Sequence, residues 1–134
     1  MLRTLHNMNF NLARILVVDD DEVMRSFVVN SLRRLGLNLI ETTHDGASAL
    51  RVMMVFKPDL VLTDIHMAPM NGLDFVRQLR AHTNPLVKNM KVIFMSADAS
   101  AATLQDAMPL GTYGYIVKPP QLETLLTKIE HALK

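Results

Sequence analysis

The sequence predicts an α/β domain built on a parallel β-sheet, and three observations carry that prediction. Five short apolar, largely β-branched runs alternate along the 134 residues with stretches whose apolar residues recur at helical spacing. The runs lack the in–out alternation of a half-exposed strand, as expected where helices cover both faces. Four of the five runs finish in a reactive polar side chain: Asp19 with Asp20, Asp64, Ser96 and Lys118.

The first strand is ARILVVD, residues 13–19. From Glu22 to Leu35 a helix is expected, with Val23, Phe27 and Leu35 on one stripe, Val28 and Leu32 beside it, and Gly36 as its stop. Asp21 and Glu22 suit its first turn, where carboxylates cap free N–H groups and meet the positive end of the helix. NLIETT (38–43) reads as the second strand. Asp45 is the N-cap of a helix over Gly46–Phe56 that KPD (57–59) breaks. DLVLTD (59–64) is the third strand, with Asp59 a solvated first residue. A loop holding Pro69 and Asn71-Gly72 leads to a helix over 73–82 with Leu73, Val76 and Leu79 on one stripe. KVIFMS (91–96) is the fourth strand. SAATLQDAM (100–108) is the fourth helix; Pro109 shortens or kinks its last turn by removing a hydrogen bond, and Gly111 closes it. YGYIVK (113–118) is the fifth strand. Pro119-Pro120 presets the start of a last helix that carries Leu122, Leu125, Leu126 and Ile129. Parallel strands joined this way require right-handed crossovers.

Composition narrows the function. Hydrophobic residues make up 49% and charged residues 20%, a globular balance with material for one core. The net charge of +1, without any block of like charges, disfavours a direct nucleic-acid surface. There is no cysteine, which excludes disulfides, thiolate metal sites and cysteine nucleophiles. No apolar run approaches the roughly 20 residues that span a bilayer, and residues 1–14 make a poor secretory leader. A cytoplasmic protein without membrane contact is expected. Residues 1–12 read as a loosely attached N-terminal extension and 13–134 as one domain.

The polar strand ends hold the chemistry. In open parallel sheets ligands bind beyond the carboxyl ends of the strands, so three carboxylates, a hydroxyl and an ammonium converge on one crevice. Carboxylates a few ångströms apart repel one another unless a cation offsets them. Mg²⁺ fits, since it takes one or two carboxylates, keeps several waters and accepts phosphate oxygens. A lysine and a hydroxyl opposite it suit the remaining oxygens of a phosphoryl group. The deduced site performs Mg²⁺-assisted phosphoryl chemistry with a carboxylate as nucleophile. His6, His44, His82 and His131 show no metal-site spacing. The ten methionines read as core and loop filling, with Met67 and Met70 in the loop after Asp64.

ILVVDDDEVMR, PDLVLTDIHM, VIFMSADA and GYIVKP, in that order, resemble the receiver domain of two-component response regulators over about residues 13–133. The resemblance implies a flavodoxin-like (βα)₅ fold with strand order 2-1-3-4-5. It implies that Asp64 is the phosphoacceptor, charged by a sensor histidine kinase or a histidine phosphotransfer protein. Asp19 and Asp20 become the acidic pair for Mg²⁺ (or Mn²⁺), with Asp64 and the backbone carbonyl of His66 completing the protein ligands. Ser96 matches the hydroxyl that moves toward the phosphoryl group, Lys118 the lysine that pairs with it, and Tyr115 the aromatic that swings inward. Pairing Asp20 with Asp21 would shift the metal site by one residue; the family pattern favours Asp19 and Asp20.

The resemblance also implies a cis Lys118–Pro119 bond. The output surface would be the face of the fourth helix, fifth strand and last helix. It would be read by a downstream protein that the sequence does not identify, or by a second copy in a phosphorylation-dependent homodimer. The chain departs from the family in the placement of Pro69, in Pro120 where an aromatic is common, and in Pro109. The beginning at Met1 and the close on a helix fit a stand-alone, chemotaxis-regulator-like protein. The implied role is that of a phosphoacceptor and not of an enzyme, apart from assisting its own transfer and slow self-dephosphorylation. Two other functions compete: a phosphorylation-independent interaction or dimerisation module, and a small doubly wound phosphatase. The latter needs an acid or base beside Asp64, where His66 stands.

Overall fold

The computed structural model describes residues 10–98 and 100–134. Its elements are β1 (Arg14–Val18), α1 (Glu22–Arg34), β2 (Leu39–Thr43), α2 (Gly46–Phe56), β3 (Leu60–Asp64) and α3 (Gly72–Arg80). They continue with a one-turn helix α4 (Pro85–Lys88), β4 (Val92–Ser96), α5 (Ala101–Ala107), a 3₁₀ turn (Met108–Leu110), β5 (Gly114–Val117) and α6 (Leu122–Leu133). All strand pairs are parallel, in the order β2-β1-β3-β4-β5. The α/β class and the order 2-1-3-4-5 are as expected. The helix α4 is additional, so the expected fourth and fifth helices are α5 and α6.

Strand alternation sorts the core into two layers. Ile15, Val17, Leu60, Leu62, Ile93 and Met95 face α1 and α6, meeting Val28, Leu32, Leu125 and Ile129. Leu16, Val18, Val61, Val92 and Phe94 face α2, α3 and α5, meeting Ala49, Met53, Phe75, Val76 and Ala107. Every residue of β3 and β4 is buried, which explains their unbroken apolar sequences. Of the extension expected over 1–12, residues 1–9 lie outside the described residues, while Phe10 is buried in the layer with α1 and α6.

Local signals set the helix ends. Asp21 accepts from the N–H groups of Val23 and Met24, Asp45 from Ser48 N–H, and Asn71 from Asp74 N–H. Beyond α1, Gly36 sits at φ 92°, and its N–H donates to Arg33 while Leu37 N–H donates to Leu32, a glycine-dependent stop. Pro109 lies in the 3₁₀ turn, so the α-helical hydrogen bonding stops at Ala107, as expected.

Two expectations are corrected. On α1 the buried stripe is Val28, Ser31 and Leu32, whereas Val23 and Phe27 are 79% and 44% exposed. Apolar residues occupy two adjacent stripes of this helix, so spacing alone did not select the one against the sheet. The last helix begins at Leu122 behind Gln121, so neither Pro119 nor Pro120 lies in its first turn. The Lys118–Pro119 bond is cis, and so is Ala68–Pro69.

Candidate functional site

Parallel pairing brings the strand ends to one edge, and β1 and β3 are neighbours there because the chain winds outward from them in opposite directions. One carboxylate oxygen each from Asp19, Asp20 and Asp64 lies within 4.8 Å of the others. Asp19 and Asp64 are buried, and Asp20 is exposed at the rim. Lys118 reaches in from the end of β5, with Nζ 2.7 Å from Asp19 Oδ2 and 3.0 Å from Asp64 Oδ2; only 9% of its side chain is exposed.

The charges oppose one another strongly. Burial pushes the Asp64 carboxyl above its ordinary value, and the Asp19 carboxylate adds to the rise; Lys118 and the His66 N–H act against it. Burial acts to lower the pKa of Lys118, but its close contacts with the Asp19 and Asp64 carboxylates and their negative charges outweigh it, holding the ammonium above its ordinary range. Asp19 Oδ2 is fully buried, and among the described residues no donor is aligned on it: Lys118 supplies nearby charge without a well-directed hydrogen bond. A buried, incompletely satisfied carboxylate oxygen beside two more acids is a donor set that suits a hard divalent cation. The residues present therefore fit Mg²⁺.

The backbone fixes these groups. Asp19 Oδ1 accepts from Asp21 N–H at 2.9 Å, and its carbonyl accepts from Arg25 Nη1 at 2.7 Å. Asp21 is thus a helix cap, and the acidic pair brought to the crevice is Asp19 with Asp20. Asp64 Oδ1 accepts from His66 N–H at 3.3 Å. Ser96 is fully buried, its hydroxyl accepting from Asp98 N–H at 3.0 Å, and its carbonyl accepts from Lys118 N–H, which locks β5 to β4 at the crevice. Tyr115 pairs with Phe94 across β4–β5 and packs among the α2, α3 and α5 layer, where its buried hydroxyl finds no partner among the described residues. The His66 imidazole lies with Nε2 3.7 Å from Asp98 Oδ2.

Sequence reasoning missed three contributors. Gly72 N–H donates to the Ile65 carbonyl at 2.7 Å, and a Cβ on Gly72 would overlap the Asp64 carbonyl oxygen, so α3 starts flush against the Asp64 backbone. Asn71-Gly72 signalled a turn but not that approach. Arg25 gave no signal, being one of several charged residues on α1. Asp98 accepts from Ser100 N–H and Thr103 Oγ1 and orders the β4–α5 loop; the D-x-S spacing is its only trace in the sequence.

The sequence profile of the response regulator receiver domain matches residues 15–130. The chain belongs to that family. This receiver domain is 37% identical over 117 residues to chemotaxis protein CheY-3 of Vibrio cholerae, covering 87% of this chain and 88% of that protein. It is 35% identical over 117 residues to chemotaxis protein CheY of Pseudomonas aeruginosa, covering 87% and 93%. Among solved structures it is similar to chemotaxis response regulator CheY4 of Vibrio cholerae, at 30% identity and a TM-score of 0.79 over 90% of this chain and 98% of that one. The flavodoxin-like (βα)₅ fold implied by the sequence motifs is thus the fold of its relatives.

Proposed function

We propose that this receiver domain is a phosphorylation-dependent switch in which Asp64 accepts a phosphoryl group from a phosphohistidine. The observation that carries this reading is the setting of Asp64, a buried carboxylate against Asp19 and Asp20 with the Lys118 ammonium 3.0 Å away. An Asp64 carboxylate oxygen attacks phosphorus and a P–O bond forms. The P–N bond breaks, and the imidazole leaves with the electron pair and takes up a proton. Asp19, Asp20, Asp64 and the His66 backbone carbonyl would hold Mg²⁺ (or Mn²⁺), which would supply the positive charge that lets phosphoryl oxygens approach three carboxylates. Lys118 and Ser96 bind the remaining oxygens.

The readout runs through Ser96 and Tyr115. Drawing the Ser96 hydroxyl toward the phosphoryl group frees space beside β4, and the Tyr115 ring fills it, shifting an existing equilibrium on the α5–β5–α6 face. On this reading the domain is a stoichiometric phosphoacceptor, with slow self-dephosphorylation but no turnover of a separate substrate. Its partners are a sensor histidine kinase or histidine phosphotransfer protein and a downstream protein that reads this face, which also offers a homodimer surface. We place its output in protein contact and its location in the cytoplasm, a reading that its similarity to chemotaxis proteins supports. No helix among the described residues is long and apolar enough to cross a membrane. The phosphatase alternative is less favoured, since the residue two places after Asp64 is His66, whose Nε2 lies 3.7 Å from Asp98 Oδ2.

The test is intact-mass analysis after incubation with Mg²⁺ and a small-molecule phosphoramidate. The wild-type chain is expected to gain a single phosphoryl group and Asp64→Asn none; single labelling that persists in Asp64→Asn overturns the assignment.

A further inference from the structure

A groove of about 1250 Å³ lies at the pole opposite Asp64, beneath the amino ends of the strands. Its walls include Phe10, Leu12, Met54, Leu86 and Met90. Leu12, Met54 and Leu86 are 69%, 50% and 74% exposed, so an apolar surface is left open to water at a place the phosphoryl chemistry does not use.

We propose that this groove is the seat of the chain's own residues 1–9, MLRTLHNMN. Phe10 is both the residue that follows this segment and a wall of the groove, and its ring is buried in the core at 7% exposure. The described chain therefore begins at the groove's edge. Nine residues reach up to about 30 Å when extended, enough to cross the groove from that edge. The segment carries Met1, Leu2, Leu5 and Met8, no acidic residue and one arginine, so it brings apolar side chains to an apolar surface. Tethered at Phe10, it is present at an effective concentration on the order of millimolar, which a free partner has to exceed to displace it. Unbranched Met54 and Met90 suit a surface that must adapt to a short peptide segment.

The absence of native cysteine allows a single nitroxide to be placed by Thr4→Cys in the full chain, with the methionine methyl groups isotope-labelled. The expected result is loss of the Met53, Met54 and Met90 methyl signals, while Met67 and Met70 near Asp64 keep theirs. Adding Leu2→Asp and Leu5→Asp to the spin-labelled chain is expected to restore the lost signals. Retention of all three signals overturns the proposal, and so does loss that survives the two aspartates. A mixed sample, with the nitroxide and the isotope on different molecules, is expected to show no loss. Loss there assigns the groove to a second copy and overturns the proposal equally.

Discussion

Gly72 shows how one missing side chain shapes the site. Alanine is ordinarily favoured over glycine by about 1 kcal/mol in a helix, yet at Gly72 a methyl group would be driven into the Asp64 carbonyl oxygen. Gly72→Ala is therefore expected to destabilise the fold by about 1–3 kcal/mol, measurable by urea denaturation, and to slow phosphoryl uptake by displacing the acceptor loop. Asp64 supplies a second prediction, with the opposite sign. Its carboxyl titrates above the ordinary value of 3.8 because it is buried. The ionised form thus weakens the folded state at pH above the raised value, and the penalty fades as the pH falls to 3.8 and below. In metal-free buffer Asp64→Asn should raise the thermal midpoint at neutral pH, with the gain closing in acid; a melting series across pH reads it. Asp19, Asp64, Ser96 and Lys118 were legible because each closes an apolar run. DDDE was less so, since four adjacent acids allow two registers, and only the capping of α1 by Asp21 separates them.

Among the elements, the segment between α5 and β5 is held by a residue far away in sequence. Arg80, at the end of α3, donates to the carbonyls of Leu110, Lys88 and Met90 at 2.8–2.9 Å and lies 3.4 Å from that of Gly111. It ties α4 and the 3₁₀ turn to α3, fixing the lower end of the face assigned to output. Arg80→Met keeps much of the stem but abandons these carbonyls, and is expected to cost on the order of 2–3 kcal/mol. Amide hydrogen exchange should quicken at Gly111–Tyr113 while β1 and β3 stay protected; unchanged exchange there would show that Arg80 does not hold the turn. Element types followed from hydrophobic period and caps, but α4 is a single turn, too short for a period to register. The exposed Val23–Phe27 stripe of α1 escaped because period reveals that a helix is amphipathic, not which of two apolar stripes meets the sheet.

For the molecule as a whole, parallel winding separates two poles. The carboxyl ends of the strands gather groups that are hydrophilic and costly to bury, while the amino ends carry the apolar groove. The first pole could be read from strand endings; the strand order came from family resemblance, and the groove from neither, because its walls are contributed by segments far apart along the chain. Asp20 is exposed at the rim, so Asp20→Asn should leave the metal-free melting temperature nearly unchanged while removing most of the stabilisation that added Mg²⁺ confers on the wild type. Titrating Mg²⁺ against both melting curves checks this.

The Lys118 contact has a further consequence, one of valence. Three carboxylates facing one resident ammonium leave two negative charges uncompensated. A single divalent ion brings that local count to neutrality, whereas a monovalent ion leaves a deficit and a trivalent one an excess. On the proposed reading the crevice would select its ion by charge as well as by ligand type.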